Sequence, residues 1–181
     1  GKHILVGIDH LLFVLCLIII AGSKRRLLIA ITGFTLAHSI TLALASLNVI
    51  RVSAPMIEVL IALSIALLAA EIIKNKRDTL AWRFPLSSAC AFGLLHGFGF
   101  ASVLADFGLP HAMKVQALIF FNIGVELGQI LFVVVALALA AILMKIPAIG
   151  RHPQQALNYS TYAMGGISVY WMIERSLAII T

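Results

Sequence analysis

The segment 115–144 reads VQALIFFNIGVELGQILFVVVALALAAILM, and Glu126 is its single charged residue. About 20 apolar residues in a helix are enough to cross the hydrocarbon core of a bilayer. This segment is long enough to cross with a tilt or to project beyond the bilayer surface. It therefore predicts a transmembrane helix rather than a helix of a soluble domain.

The rest of the chain repeats this pattern. Of the 181 residues, 62% are hydrophobic and 11% are charged, a balance that excludes an ordinary soluble domain. Basic and turn-forming residues separate six apolar runs, at about 4–22, 27–49, 56–73, 84–105, 115–144 and 156–180. The sequence predicts an all-α integral membrane protein, in which residues 1–181 form one bundle of six transmembrane helices.

Lysine and arginine predict the orientation of this bundle. The first, third and fifth loops hold nine of the 13 basic residues, and the opposite side holds four. The positive-inside rule then places both termini outside the cytoplasm, in the periplasm if the membrane is a bacterial inner membrane. The net charge of +6 thus reflects topology, and we expect no nucleic-acid partner. Residue 1 is Gly rather than Met, so we expect an upstream extracytoplasmic segment or signal peptide.

Four ionisable residues lie inside the apolar runs: His10, His38, His96 and Glu126. Each costs roughly 2.5–3.5 kcal/mol at the bilayer centre, even on lenient insertion scales. We therefore expect the four side chains to face one interior cavity in the outer half of the bilayer. Imidazole and carboxylate groups together are ligands for divalent transition metals.

Polar neighbours extend these positions. His3 lies seven residues before His10, on the same helix face, whereas Asp9 lies to one side and is suited to orient a neighbouring group. Further polar side chains flank His38 and Glu126 at helical spacing, and these supporting residues are Thr35, Ser39, Asn122 and Gln129. The alternatives are a core histidine at position 38 that bonds a neighbouring helix, and a structural pair of Glu126 with a histidine.

Three glycines surround His96, at positions 93, 97 and 99. Small residues permit close packing of transmembrane helices. A locally broken helix whose carbonyls line a cavity is the other interpretation. We expect close packing.

Four motifs together resemble the HupE/UreJ membrane proteins: His3-x-x-x-Gly7-x-Asp9-His10, FTLAHSITL around His38, LLHGFGFA around His96, and FNIGVELGQ around Glu126. The resemblance implies a nickel or cobalt permease. The family's first-helix motif, H-P-x-x-G-x-D-H, falls on the first of these segments, with Ile4 in place of the proline. The family's later His and Glu partners are missing after His96-Gly97, which leaves nickel specificity open and makes Glu126 the candidate for the missing carboxylate.

We therefore predict a permease for a divalent transition metal, Ni, Co or Zn, with the ion and the lipid bilayer as partners. No phosphate-binding GxxxxGK[ST] motif is present, so the chain alone would be a facilitator or an ion-coupled carrier. An intramembrane zinc-dependent hydrolase, with the same residues as ligands and base, is the alternative. A membrane anchor or metal sensor is a third interpretation, and a homo-oligomer is compatible with all three.

Overall fold

Helix boundaries in the computed structural model follow local sequence signals. The structure describes residues 2–75, 77–106 and 114–180, without the side chains of 2–6 and 102–106. Its helices are α1 (Lys2–Ala21), α2 (Lys24–Ser46), α3 (Ala54–Lys74), α4 (Leu80–Arg83), α5 (Pro85–Asp106), α6 (Lys114–Leu143), α7 (Pro147–Gly150) and α8 (Pro153–Ile180).

Caps and breakers explain where these helices begin and end. The Ser23 hydroxyl accepts a hydrogen bond from the Arg26 backbone N–H at 3.3 Å and so caps α2. Pro55 lies in the first turn of α3, where its missing N–H costs nothing. Asn75 ends α3 in the left-handed conformation, with φ 49°.

Each of the six apolar runs coincides with one long helix. The runs do not predict α4 and α7, because a four-residue helix is too short to show a hydrophobic period. Over the described residues, three of the long helices, α2, α3 and α6, are long and apolar enough to cross a membrane, and α1 adds the shorter apolar stretch Gly7–Ala21. These helices make the chain an integral membrane protein.

Exposed apolar side chains surround the bundle. On α6, for example, Phe120 is 73% exposed and Leu131 is 65% exposed. In water such a surface would drive association. In a bilayer it faces lipid at no cost.

The core lies where α1 meets its neighbours. α1 contacts α2, α3, α5, α6 and α8, while α2 packs most extensively against α5, and α3 against α8. Phe13, Leu17, Phe34, Ile61 and Ile65 are among its almost fully buried side chains. α1 therefore places its polar residues, Asp9 and His10, against several helices at once.

Glycines set the distance between α2 and α5. A Cβ added at Gly93 would overlap the Phe34 backbone, and one added at Gly97 would overlap the His38 carbonyl oxygen and the Thr41 hydroxyl. α5 remains one continuous helix through these positions. The glycines thus serve close packing, as expected, rather than a break in the helix.

Gly97→Ala should therefore destabilise the bundle. The added methyl meets rigid backbone, so we expect a loss of about 1–3 kcal/mol, measured as a lower unfolding temperature in detergent. Gly124→Ala on α6 is the matched control, because a Cβ there meets nothing within 4 Å. The control should be neutral, or stabilising by about 0.5–1 kcal/mol. Equal stability of the two variants would contradict close packing at Gly97.

Candidate functional site

Three imidazoles from three helices meet in the core. The ring centroid of His10, on α1, lies 5.4 Å from that of His38, on α2, and 4.8 Å from that of His96, on α5. The His38 and His96 side chains are fully buried, and His10 is 7% exposed. We refer to His10, His38 and His96 as the histidine cluster.

Aromatic side chains enclose the histidine cluster. The Phe100 ring lies 4.7 Å from the His10 ring and 5.5 Å from the His38 ring, while Phe13 lies 5.2 Å from His96. Phe34 contacts all three imidazoles, at centroid distances of 5.3–5.9 Å. The surroundings are thus apolar, which strengthens any interaction between a ligand and the ring nitrogens.

The imidazoles pack edge to face. The planes of His10 and its two partners differ by 88° and 89°. Among the described residues, no group of three or more His, Cys, Asp or Glu side chains is arranged to hold a metal ion as it stands. Joint ligation by the cluster would require ring rotation about χ2, which is a broad and soft torsion for histidine.

Hydrogen bonding assigns the tautomer of His96. Its Nδ1 lies 2.8 Å from the Phe92 carbonyl oxygen, which can only accept, so Nδ1 carries the proton. Nε2 of a neutral ring is then the acceptor nitrogen, and it is buried without a hydrogen-bond partner in the described part of the chain. Metal-ligating histidines commonly have this arrangement, with one ring N–H held by a backbone carbonyl.

Burial of His38 is costly. Both of its ring nitrogens are buried, and neither has a hydrogen-bond partner among the described residues. A buried polar group without a partner costs about 1–3 kcal/mol. The alternative of a core histidine that bonds a neighbouring helix therefore finds no support from the residues described.

Asp9 pairs with a residue that sequence reasoning did not select. Its Oδ2 lies 2.8 Å from Nη2 of Arg175, near the end of α8, and both side chains are at least 90% buried. Arg175 Nη1 also donates to the Glu58 backbone carbonyl oxygen at 3.0 Å. The same cost argument that selected the histidines would have selected Arg175, because it too lies in an apolar run.

Glu126, on α6, forms a hydrogen bond with a side chain of α2. Its Oε1 accepts a hydrogen bond from the Thr32 hydroxyl at 2.7 Å. One turn along, the Thr35 hydroxyl donates to Oε1 of the buried Gln129 at 3.1 Å. Thr32 precedes His38 by six residues, so at 1.5 Å per residue Glu126 meets α2 about 9 Å along the axis from His38.

The remaining supporting residues border a groove between α2 and α6. Its volume is about 430 Å³, and polar Thr35, Ser39, Asn122 and Glu126 interrupt an otherwise apolar lining. Ser39 donates to the Thr35 carbonyl oxygen at 2.6 Å, and Asn122 donates to the Leu118 carbonyl oxygen at 2.8 Å. Oδ1 of Asn122 is buried without a hydrogen-bond partner in the described residues.

One predicted residue lies outside this description. The side chain of His3 is not among the described ones, so its predicted place beside His10 stays a prediction. A Cβ on Gly7, between the two histidines, would meet nothing within 4 Å.

Comparison with known proteins identifies the family. The family described as HupE / UreJ protein matches residues 1–175, almost the whole chain. The chain belongs to the HupE/UreJ family. No curated protein and no solved structure matches it. HupE/UreJ proteins are associated with transport of metals, nickel and cobalt among them. The match extends into α8 as far as residue 175, so in this HupE/UreJ protein Arg175 is the last residue of the matched region.

His38→Leu and His96→Leu should affect stability differently. Leucine at position 38 removes two buried nitrogens that have no hydrogen-bond partner in the described part of the chain, so we expect unchanged or higher stability. Leucine at position 96 removes the hydrogen bond to Phe92 and should cost about 0.5–1.5 kcal/mol. Thermal unfolding in detergent measures both. A larger loss for His38→Leu than for His96→Leu would assign His38 a structural role.

Proposed function

We propose that this protein is a permease for divalent transition-metal ions, and that the histidine cluster is its ion-binding site. Imidazole suits Ni, Co and Zn, and a nearby carboxylate offsets the charge of the ion. Membership of the HupE/UreJ family and the apolar helices support transport of metal across a membrane. The observation that carries the assignment is the buried His38 imidazole, which finds no hydrogen-bond partner among the residues that the structure describes.

The proposal includes a topology. All six long helices cross the membrane, with both termini in the periplasm of a bacterial inner membrane, in line with the positive-inside rule. In that orientation α1 and α3 begin on the outer side, and α8 ends there. The pair of Asp9 and Arg175 then lies on the outer side of the histidine cluster, and Glu126 lies on its cytoplasmic side.

This order suggests a path for the ion. An ion arriving from outside would meet the region of Asp9 first, then the imidazoles, and then Glu126 about 9 Å further on. His3, which helical spacing predicts on the same face of α1 as His10, would add a ligand at the outer end. Separate steps suit a permease, because an ion held by every ligand at once would leave slowly.

The test of the function is uptake into liposomes. For purified protein reconstituted with a metal-sensitive dye inside, we expect Ni²⁺ or Co²⁺ uptake that His10→Ala with His38→Ala lowers at least about tenfold. His152→Ala is the control, because His152 is exposed between α7 and α8. Uptake that survives the double substitution would refute the proposal.

Glu126→Gln should separate transport from folding. Glutamine keeps an acceptor oxygen for the Thr32 hydroxyl, so thermal stability should not change. It removes the negative charge on the cytoplasmic side of the cluster, so uptake should fall about tenfold, while the metal dissociation constant changes by less than about threefold over this distance. Glu71→Gln on α3 is the control, because the Glu71 carboxylate accepts from Thr79 away from the cluster. Normal uptake by Glu126→Gln would remove Glu126 from the path.

A further inference from the structure

One guanidinium, that of Arg175, joins three helices beside the histidine cluster. It contacts Asp9 of α1 at 2.8 Å, the backbone carbonyl oxygen of Glu58 of α3 at 3.0 Å, and the Glu58 carboxylate at 4.0 Å. It also lies 5.5 Å from the centre of the Trp171 ring, one turn earlier on α8. Arg175 therefore has two carboxylate partners, one close and one distant.

The close partner is next to the proposed ion site. Asp9 immediately precedes His10 and is 2% exposed. Its Oδ1 is buried and accepts no hydrogen bond from the described residues, while Oδ2 is held by Arg175. A bare carboxylate here would attract a divalent cation strongly, because so little water screens it. With Arg175 bound, the pair is neutral and most of that attraction is cancelled.

The distant partner is available to receive the guanidinium. The Glu58 side chain is 41% exposed, and its carboxylate lies at the outer limit of an ion pair with Arg175 Nε. Nη1 of Arg175 already donates a hydrogen bond to the Glu58 backbone carbonyl oxygen. A small rotation of the guanidinium about this hydrogen bond would move it from Asp9 to the Glu58 carboxylate. The Trp171 face supports the cation in either position through its quadrupole.

We infer that Arg175 is an internal counter-cation that sets how tightly the histidine cluster holds its ion, an inference that rests on the proposed function. Without a metal ion, Arg175 neutralises Asp9. When a divalent cation binds at the cluster, Asp9 faces the ion and Arg175 pairs with Glu58. The return of Arg175 to Asp9 then weakens the site and releases the ion. Arg175 acts through Asp9 as a positioning residue and is no ligand itself.

Ion affinity and turnover, measured together, test this inference. For purified protein in detergent, Arg175→Gln should bind Ni²⁺ about tenfold more tightly, because the Asp9 carboxylate loses its competitor. Release should slow accordingly, so uptake at saturating Ni²⁺ should fall about fivefold or more. Adding Asp9→Asn to Arg175→Gln should abolish the gain in Ni²⁺ affinity, because that gain requires the Asp9 carboxylate.

Glu58→Gln tests the second partner independently and at an exposed side chain, where folding is not at risk. It leaves Arg175 on Asp9, so we expect Ni²⁺ binding about threefold weaker or more. Glu71→Gln on the same helix is the matched control and should leave binding unchanged. If Arg175→Gln does not fold, Glu58→Gln and Arg175→Lys remain, and lysine, which keeps the charge, should not tighten binding.

The outcomes separate the two proposals. Wild-type protein that neither binds nor transports Ni²⁺ or Co²⁺ overturns the proposed function and this inference with it. If the wild-type protein transports the ion and the folded Arg175→Gln variant binds Ni²⁺ no more tightly than wild type, the counter-cation role alone is overturned. Arg175 is then a structural residue. Glu58→Gln with unchanged affinity overturns the transfer to Glu58.

Discussion

Everything at the centre of this protein depends on how closely α2 and α5 approach. Gly93 lies against the backbone of Phe34, and Gly97 against that of His38, with no room for a methyl group at either position. This contact brings His38 and His96 to the same depth in the core. α1 then completes the arrangement by placing His10 within 5.4 Å of both rings. Larger residues at the glycines would separate the helices and, with them, the imidazoles.

The histidine cluster is built at a cost in stability. Phenylalanines surround the imidazoles, and the described residues offer no hydrogen-bond partner to the His38 nitrogens or to Nε2 of His96, so polar groups have been moved out of water without full compensation. Apolar residues of similar size would pack there more cheaply. Sites that sacrifice stability in this way are typical of function, since nothing in folding requires them. Because the rings pack edge to face, the proposed ion binding would require them to turn.

Charge is arranged differently on the two sides of the cluster. Asp9 shares a buried ion pair with Arg175, which a cation must disturb before the carboxylate becomes available to it. Glu126 has a neutral hydroxyl partner, Thr32, which leaves its charge uncompensated by that bond. The carboxylate on one side of the cluster is therefore neutralised, whereas the carboxylate on the other side is only oriented by its hydrogen bond. This asymmetry of charge suits movement of a cation from one side to the other.

The sequence by itself determined the class and the extents of the six long helices, and it selected the three histidines as site candidates, because hydrophobic runs and the cost of burying ionisable groups are local properties. It also indicated that the glycines near His96 serve packing. Only the tertiary structure decided which groups meet. Arg175 is 166 residues from Asp9 in the chain, and Glu126 on α6 accepts a hydrogen bond from Thr32 on α2. The partners of these side chains depend on the rotation and axial shift of each helix against its neighbours. The helical periodicity of one segment specifies neither of these.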